Sequence, residues 1–217
     1  MEKGQVLHNS RRITVTGASR VEGLNKVLLD NSPEDLRKRN REQLAKMGLD
    51  GNEIDVFLRN PWYSPRHRTV LVEELAGMEQ TQNRKKFITL ATTAESEQDA
   101  FFFQRIAQLM RGYHETHSPI TNIDLIGALA VGYAANDAMV VPLVVDMGWW
   151  TTEAAVLTKA LDEGAPKGKT KELWVTGKLS PRLVEELEAR KWKVHQHSWA
   201  ALYPQKASSQ SGEANKN

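Results

Sequence analysis

Cysteine is absent from all 217 residues. That excludes disulfides, thiolate nucleophiles, Cys-ligated zinc and iron–sulfur clusters together. No stretch of about 18 apolar residues free of charge occurs, so no membrane-spanning helix is expected. An excess of one charge is missing too: 29 basic residues face 27 acidic ones, a formal net charge of +2. Dedicated nucleic-acid binders carry a basic stripe, so neither nucleic acid nor an anionic membrane is expected as partner. The opening Met1-Glu2-Lys3-Gly4-Gln5 has no apolar segment of the signal-peptide kind. The expectation is a cytoplasmic chain, or an exported one if a leader was removed.

What is present fits a globular protein. Hydrophobic residues make up 40% and charged residues 26%, a balance that disordered chains do not show. Residues 1–11 are polar and expected to be flexible. From 207 onward Ser, Gln, Gly, Asn and Lys dominate, and a disordered tail is expected. Between them, residues 12–206 are expected to form a single α/β domain.

Punctuation along the chain is strong. Ile13-Thr14-Val15-Thr16 reads as a strand ended by Gly17. Val21, Leu24, Val27 and Leu28 then follow helical spacing. Ser32-Pro33 and Ser64-Pro65 both read as a helix cap followed by proline at the first helical position. Asn52 is the expected cap of the helix between them. Glu95 to about Gly112 predicts the best-buried helix, with Phe102, Ile106, Leu109 and Met110 on one face. Beyond Ser118-Pro119 the pattern changes to short apolar runs over 123–133 and 139–147, around turn residues Asn136-Asp137. These predict a β-hairpin, with Pro142 placing its strand at an edge or a bulge. A helix capped at Thr151 or Thr152, a strand at 173–176, a helix from Ser180-Pro181 and a strand at 192–195 complete the chain.

The fold class expected is therefore α/β. A small mixed sheet combines the N-terminal strand with the C-terminal hairpin-α-β-α-β part, about 120–200. The stretch from about 20 to 117 is a helical insert.

Two segments echo each other, Val15-Thr16-Gly17-Ala18-Ser19 and Val175-Thr176-Gly177-Lys178-Leu179-Ser180. Both place a glycine after a strand and a serine near a helix start, where free N–H groups can hold an anion. Gly17, Ser19, Gly177 and Ser180 are thus candidate anion-site residues. The first of these segments resembles the opening of the short-chain dehydrogenases, Thr-Gly-x-x-x-Gly-x-Gly, over about nine residues. Thr16, Gly17 and Gly23 match. Val21 stands where the middle glycine belongs, and no tyrosine is followed four residues later by lysine, so no cofactor is expected from it.

Tyr113-His114-Glu115-Thr116-His117 offers a histidine pair near a helix end, and His195 and His197 offer a second pair by strand alternation. All four are candidate metal ligands, each pair with capping or surface placement as its simpler reading. Asp124, Asp137 and Asp146 are candidate carboxylates by position only. Glu42 to Leu58 fits an αα-hairpin better than a DNA-reading motif, because Glu53 and Asp55 stand where phosphate would approach. Trp62, Tyr63, Trp149 and Trp150 are candidate interface anchors, since tryptophan and tyrosine concentrate where partners dock. The sequence favours a non-catalytic interaction or accessory subunit with a protein partner or a second copy. A phosphate- or nucleotide-binding enzyme using the Gly17 and Gly177 turns is the alternative.

Overall fold

Most helix starts are written by a side-chain oxygen that caps backbone N–H groups left free by the first turn. A computed structural model describes residues 19–203. The expected strand 13–16, Gly17 and the polar ends 1–11 and 207–217 lie outside the described residues. Helix α1 covers residues 19–30. Ser32, Ser64 and Ser180 accept from Asp35, His67 and Leu183 and start α2 (Pro33–Lys46), α4 (Pro65–Ala76) and α8 (Pro181–Ala189), each with proline in its first turn. Thr151 starts α7 (Thr152–Gly164) and Ser96 starts α6 (Glu97–Thr116). Helix α3 (Gly51–Arg59) begins earlier than expected. Asp50 and Glu53 form a reciprocal capping box, which satisfies the backbone donors of Asp50, Asn52 and Glu53 together. The short helices α5 (Arg84–Ala91) and α9 (Trp199–Leu202) complete the set.

The sheet is mixed, as the sequence implied, but the expected hairpin is a three-strand meander. Strands β1 (Ile120–Ile126), β2 (Leu129–Ala134) and β3 (Ala138–Leu143) run antiparallel in turn. The apolar run 123–133 is two strands, because Gly127 at φ +59 turns the chain within two residues, the glycine-first device of tight hairpins. The second turn is the expected one: Asp137 takes the left-handed conformation at φ 62. Crossovers through α7 and α8 then add β5 (Thr170–Val175) and β7 (Trp192–His195) in parallel, in the order β1-β2-β3-β5-β7. A second, two-stranded parallel sheet pairs β4 (Met147–Gly148) with β6 (Lys178–Leu179).

Pro142 corrects a simpler expectation. It lies in β3, between β2 and β5, not at the sheet's edge. The ladder to β2 stops at Val140, however, while the ladder to β5 continues to Leu143. Leu143 accepts from Thr176 and Asp137 accepts from Thr170, so odd-numbered positions face β5 and Pro142 faces the side that β2 has left. Its missing N–H costs no ladder bond there.

Alternation along the strands divides two cores. Ala138, Val140 and Trp174 face the helical block and join Phe57, Leu71, Phe87, Leu109 and Tyr113 in one cluster. Met139, Val141, Leu173 and Val175 face the other way, under Leu161 of α7 and Leu183 and Leu187 of α8. The helical block thus covers one face of the sheet from β1 to Trp174 of β5 and shares its core. Among the described residues no helix is long and apolar enough to cross a membrane.

Candidate functional site

The turn after β5 shows why residue 177 is glycine. A Cβ there would fall 2.3 Å from the Val145 carbonyl oxygen and 2.2 Å from that of Asp146. Thr176 fastens the same strand: its hydroxyl accepts from Val145 N at 3.1 Å and donates to Val145 O at 3.0 Å. The space an anion would need is filled by the chain's own carbonyls, which repel negative charge. Ser180 is buried, accepts from Leu183 and donates its N–H to Gly148. Ser19 is exposed on α1, and Gly17 lies outside the described residues.

The histidines divide differently from their sequence pairing. His114 Nδ1 accepts the Ile120 N–H at 3.1 Å, tying the end of α6 to the first strand. His197 sits past the strand in left-handed backbone, φ 52, and donates its N–H to Gly177 O. It therefore does not share a strand face with His195. His117 and His195 instead meet across Trp174. The His195 ring stacks on the indole at 3.9 Å, and the His117 ring meets it edge-on at 4.5 Å. Glu172, buried on the same strand, accepts the indole N–H at 3.0 Å, and His195 Nε2 lies 3.9 Å from the same carboxylate oxygen. Burial lowers the pKa of both imidazoles and favours their neutral form. Among the described residues no three His, Asp or Glu side chains converge as metal ligands. The cluster is an aromatic stack that joins α6 to β5 and β7.

Two of the three candidate carboxylates pair with a lysine. Asp124 accepts from Lys86 at 2.7 Å and Asp137 from Lys169 at 2.5 Å, and both pKa values are lowered by those lysines. Asp146 is exposed, and it is its backbone carbonyl that accepts the Lys178 N–H beside the small sheet. Helix α3 packs Ile54, Phe57 and Leu58 inward, and its Asp55 pairs with Arg41 and Arg59.

Of the four aromatics, Tyr63 is corrected. It is 2% exposed, packs on Phe57 and donates its hydroxyl to Ala91 O at 2.8 Å, so it is core. Trp150 is half-buried against the outer core, with the Arg190 guanidinium over its ring. Trp62 is exposed in the turn before α4. Trp149 is 62% exposed and Met147 44%. Gly148 between them faces inward, where a Cβ would strike Leu179 at 2.6 Å. In extended chain, alternate residues share a side, so Met147 and Trp149 both point outward. Val156, on the exposed side of α7, is apolar as well.

A further polar centre escaped the sequence reading. A cleft of about 320 Å³ lies between α1, α2, α4 and α6. At its wall Arg20 of α1 reaches Glu115 at 2.6 Å, and Arg111 reaches the other oxygen of Glu115 at 2.6 Å. Glu74 is 2% exposed; its Oε2 lies 3.8 Å from Arg20 Nε, and neither of its oxygens completes a hydrogen bond. Burial pushes its pKa up to about 7, against the pull of Arg20 and Arg111. A signal was there to be read: Glu74 stands four residues after Val70 and next to Leu75, inside the buried stripe of α4. Its partner Arg20 is remote in sequence, and no local pattern names it.

Compared with family models, curated proteins and solved structures, the chain matches none.

Proposed function

We propose that this chain is a non-catalytic interaction subunit that docks a protein partner on the outward side of β4, with Trp149 as anchor. The observation that carries the reading is the Met147–Trp149 pair. Gly148 is pinned inward between them, so two large apolar side chains are held in water by a strand seated on the outer core. Exposed aromatics held rigidly lose little entropy on binding, which is why tryptophan dominates interface hot spots. β4 pairs only with β6 among the described residues, so the partner meets an otherwise uncovered rim.

A photo-crosslinking residue at position 149, used in the native source, tests this reading. One discrete adduct is expected from position 149 and none from the exposed Lys159 on α7. A Trp149→Ala variant keeps its thermal stability, because exposed substitutions change stability by only about 0.5 kcal/mol. The same variant loses the co-sedimenting partner. A wild-type chain that crosslinks to nothing at 149 and sediments as a lone monomer defeats the reading.

A further inference from the structure

We infer that the cleft between the first turns of α2 and α4 is a binding site for a small phosphate monoester, held by Arg37 and Arg68 where the N-terminal ends of the two helices come together. The site goes beyond the docking surface at β4 and is built from different elements.

The two helices run side by side in the same direction. Pro33 and Pro65, their first residues, border this one cleft. Further along, Asn40 donates to Thr69 at 2.9 Å, and Gln43 and Ala76 border a second cleft near the other ends. Parallel neighbours bring their positive dipole ends together, which is where anions are held. An acid in the first turn ordinarily answers that charge. Helix α2 has Glu34 and Asp35, but α4 has none and opens Pro65-Arg66-His67-Arg68. Among the described residues, neither these three basic side chains nor Arg37 pairs with a carboxylate. Other helices that open on basic residues differ. Lys85 and Lys86 of α5 meet Glu53 and Asp124, and Arg182 of α8 meets Glu186.

Backbone carbonyls orient the two arginines of the cleft without neutralising them. Arg68 Nη2 donates to Asn60 O at 2.8 Å and to Tyr63 O at 3.0 Å, and Arg37 Nη1 donates to Leu58 O at 3.3 Å. Burial, and after it the Arg37 charge, lower the Arg68 pKa. The buried Arg68 Nε completes no hydrogen bond. Asn40, 2% exposed, lines the floor of the cleft, and its Oδ1 has no partner either. The Thr69 hydroxyl donates as readily as it accepts, so the Asn40 amide can turn its NH2 toward an oxygen in the cleft. Two carboxylates oppose the site. Glu34 is exposed at its border, and Asp55, which feels the Arg37 charge, is already shared between Arg41 and Arg59.

Two guanidiniums and two helix ends call for two negative charges and several acceptor oxygens. A phosphate monoester carries both near neutral pH, and a carboxylate does not. At about 320 Å³ the cleft stands at the lower end of the roughly 300–1,000 Å³ of small-molecule sites, so the organic part of the ester is small.

The test titrates the full chain with glycerol phosphate, inorganic phosphate and acetate at equal ionic strength, read by backbone amide shifts in NMR. Glycerol phosphate should bind saturably and most tightly, with shifts confined to residues 33–40 and 64–69. Its binding should weaken from about pH 7.5 to about pH 5, as the ester loses its second charge. Arg37→Gln should weaken it about tenfold or more. That variant should keep the melting temperature of the unliganded chain, because Arg37 is exposed and Arg68 still holds the Asn60 and Tyr63 carbonyls. Arg182→Gln should bind like wild type. Inorganic phosphate binding as tightly as glycerol phosphate overturns the ester. A phosphoserine peptide binding more tightly than glycerol phosphate overturns the small-molecule ligand. No saturable binding, equal binding of acetate, or wild-type affinity in Arg37→Gln overturns the site.

Discussion

Glu74 is the residue whose surroundings and chemistry disagree most. Its pKa stands near 7, above the ordinary 4.5, and burial is the first cause. The folded chain therefore holds a proton that the unfolded chain has released between those values. The stabilisation this proton supports is complete below about pH 4.5 and is lost as pH rises through 7. A shift of that size corresponds to roughly 3 kcal/mol. A Glu74→Gln variant should match wild type near pH 4.5 and become more stable than it by up to about that amount at pH 8, measured by urea denaturation across pH. A constant difference at all pH values would mean that Glu74 does not titrate in the folded chain. His117 and His195 work in the opposite sense, because their lowered values withdraw stability as pH falls. The Glu74 effect is thus read as a difference between variants and not from the wild-type curve alone. A carboxylate inside an apolar stripe is legible in sequence as an anomaly. Its meaning is not, because that depends on Arg20 and Tyr203 arriving from opposite ends of the described chain.

At the level of elements, what the sequence reveals depends on how local the cause is. Serine before proline at 32, 64 and 180 marks helix starts correctly because cap and ring act within one turn. The Asp50–Glu53 box outdoes Asn52 for an equally local reason. The Gly127 turn is harder to see: it interrupts an apolar run with no Asn or Asp beside it, and only the pairing of Ile126 with Leu129 exposes it. Pro142 needs knowledge of where the β2 ladder stops. Gly177 needs no left-handed backbone; what demands glycine there is a neighbour remote in sequence, the carbonyls of Val145 and Asp146. Gly112 is a similar case and supports a prediction. It lies within α6, where glycine costs about 1 kcal/mol relative to alanine, yet a Cβ there would fall 2.0 Å from the Leu202 carbonyl oxygen. A backbone neighbour cannot rotate away. Gly112→Ala should therefore destabilise the chain by roughly 1–3 kcal/mol despite its better helix propensity. It should also lift α9, loosening Trp199 from Arg105 and Tyr203 from Arg20. Unchanged or increased stability in denaturant titration would show that α9 does not sit against α6 in solution.

Across the whole molecule the sheet separates two unequal cores. Among the described residues, thirty buried hydrophobic residues gather on the helical-block side and ten on the side of α7 and α8. The asymmetry is sharpest between two helices. α6 buries ten of its residues, including Phe103, Leu109, Met110 and Tyr113, whereas α7 buries only Thr158 and Leu161. An apolar gap of about 70 Å³, bordered by Ala154, Leu157 and Leu187, separates α7 from the sheet. Each fully buried aliphatic or aromatic side chain contributes roughly 1.5–3 kcal/mol, and a gap forfeits contacts on its open side. Local opening follows these differences, so α7 should unfold in excursions that leave α6 intact. Native-state hydrogen exchange should place the α7 amides well below the global stability and the central α6 amides at it. Filling the gap with Ala154→Val should slow exchange in α7 while leaving α6 unchanged. Equal protection in α6 and α7 would mean that the two cores open as one unit, and that β4, with Trp149 on its outward side, rests on a layer as firm as the helical block rather than on the looser of the two.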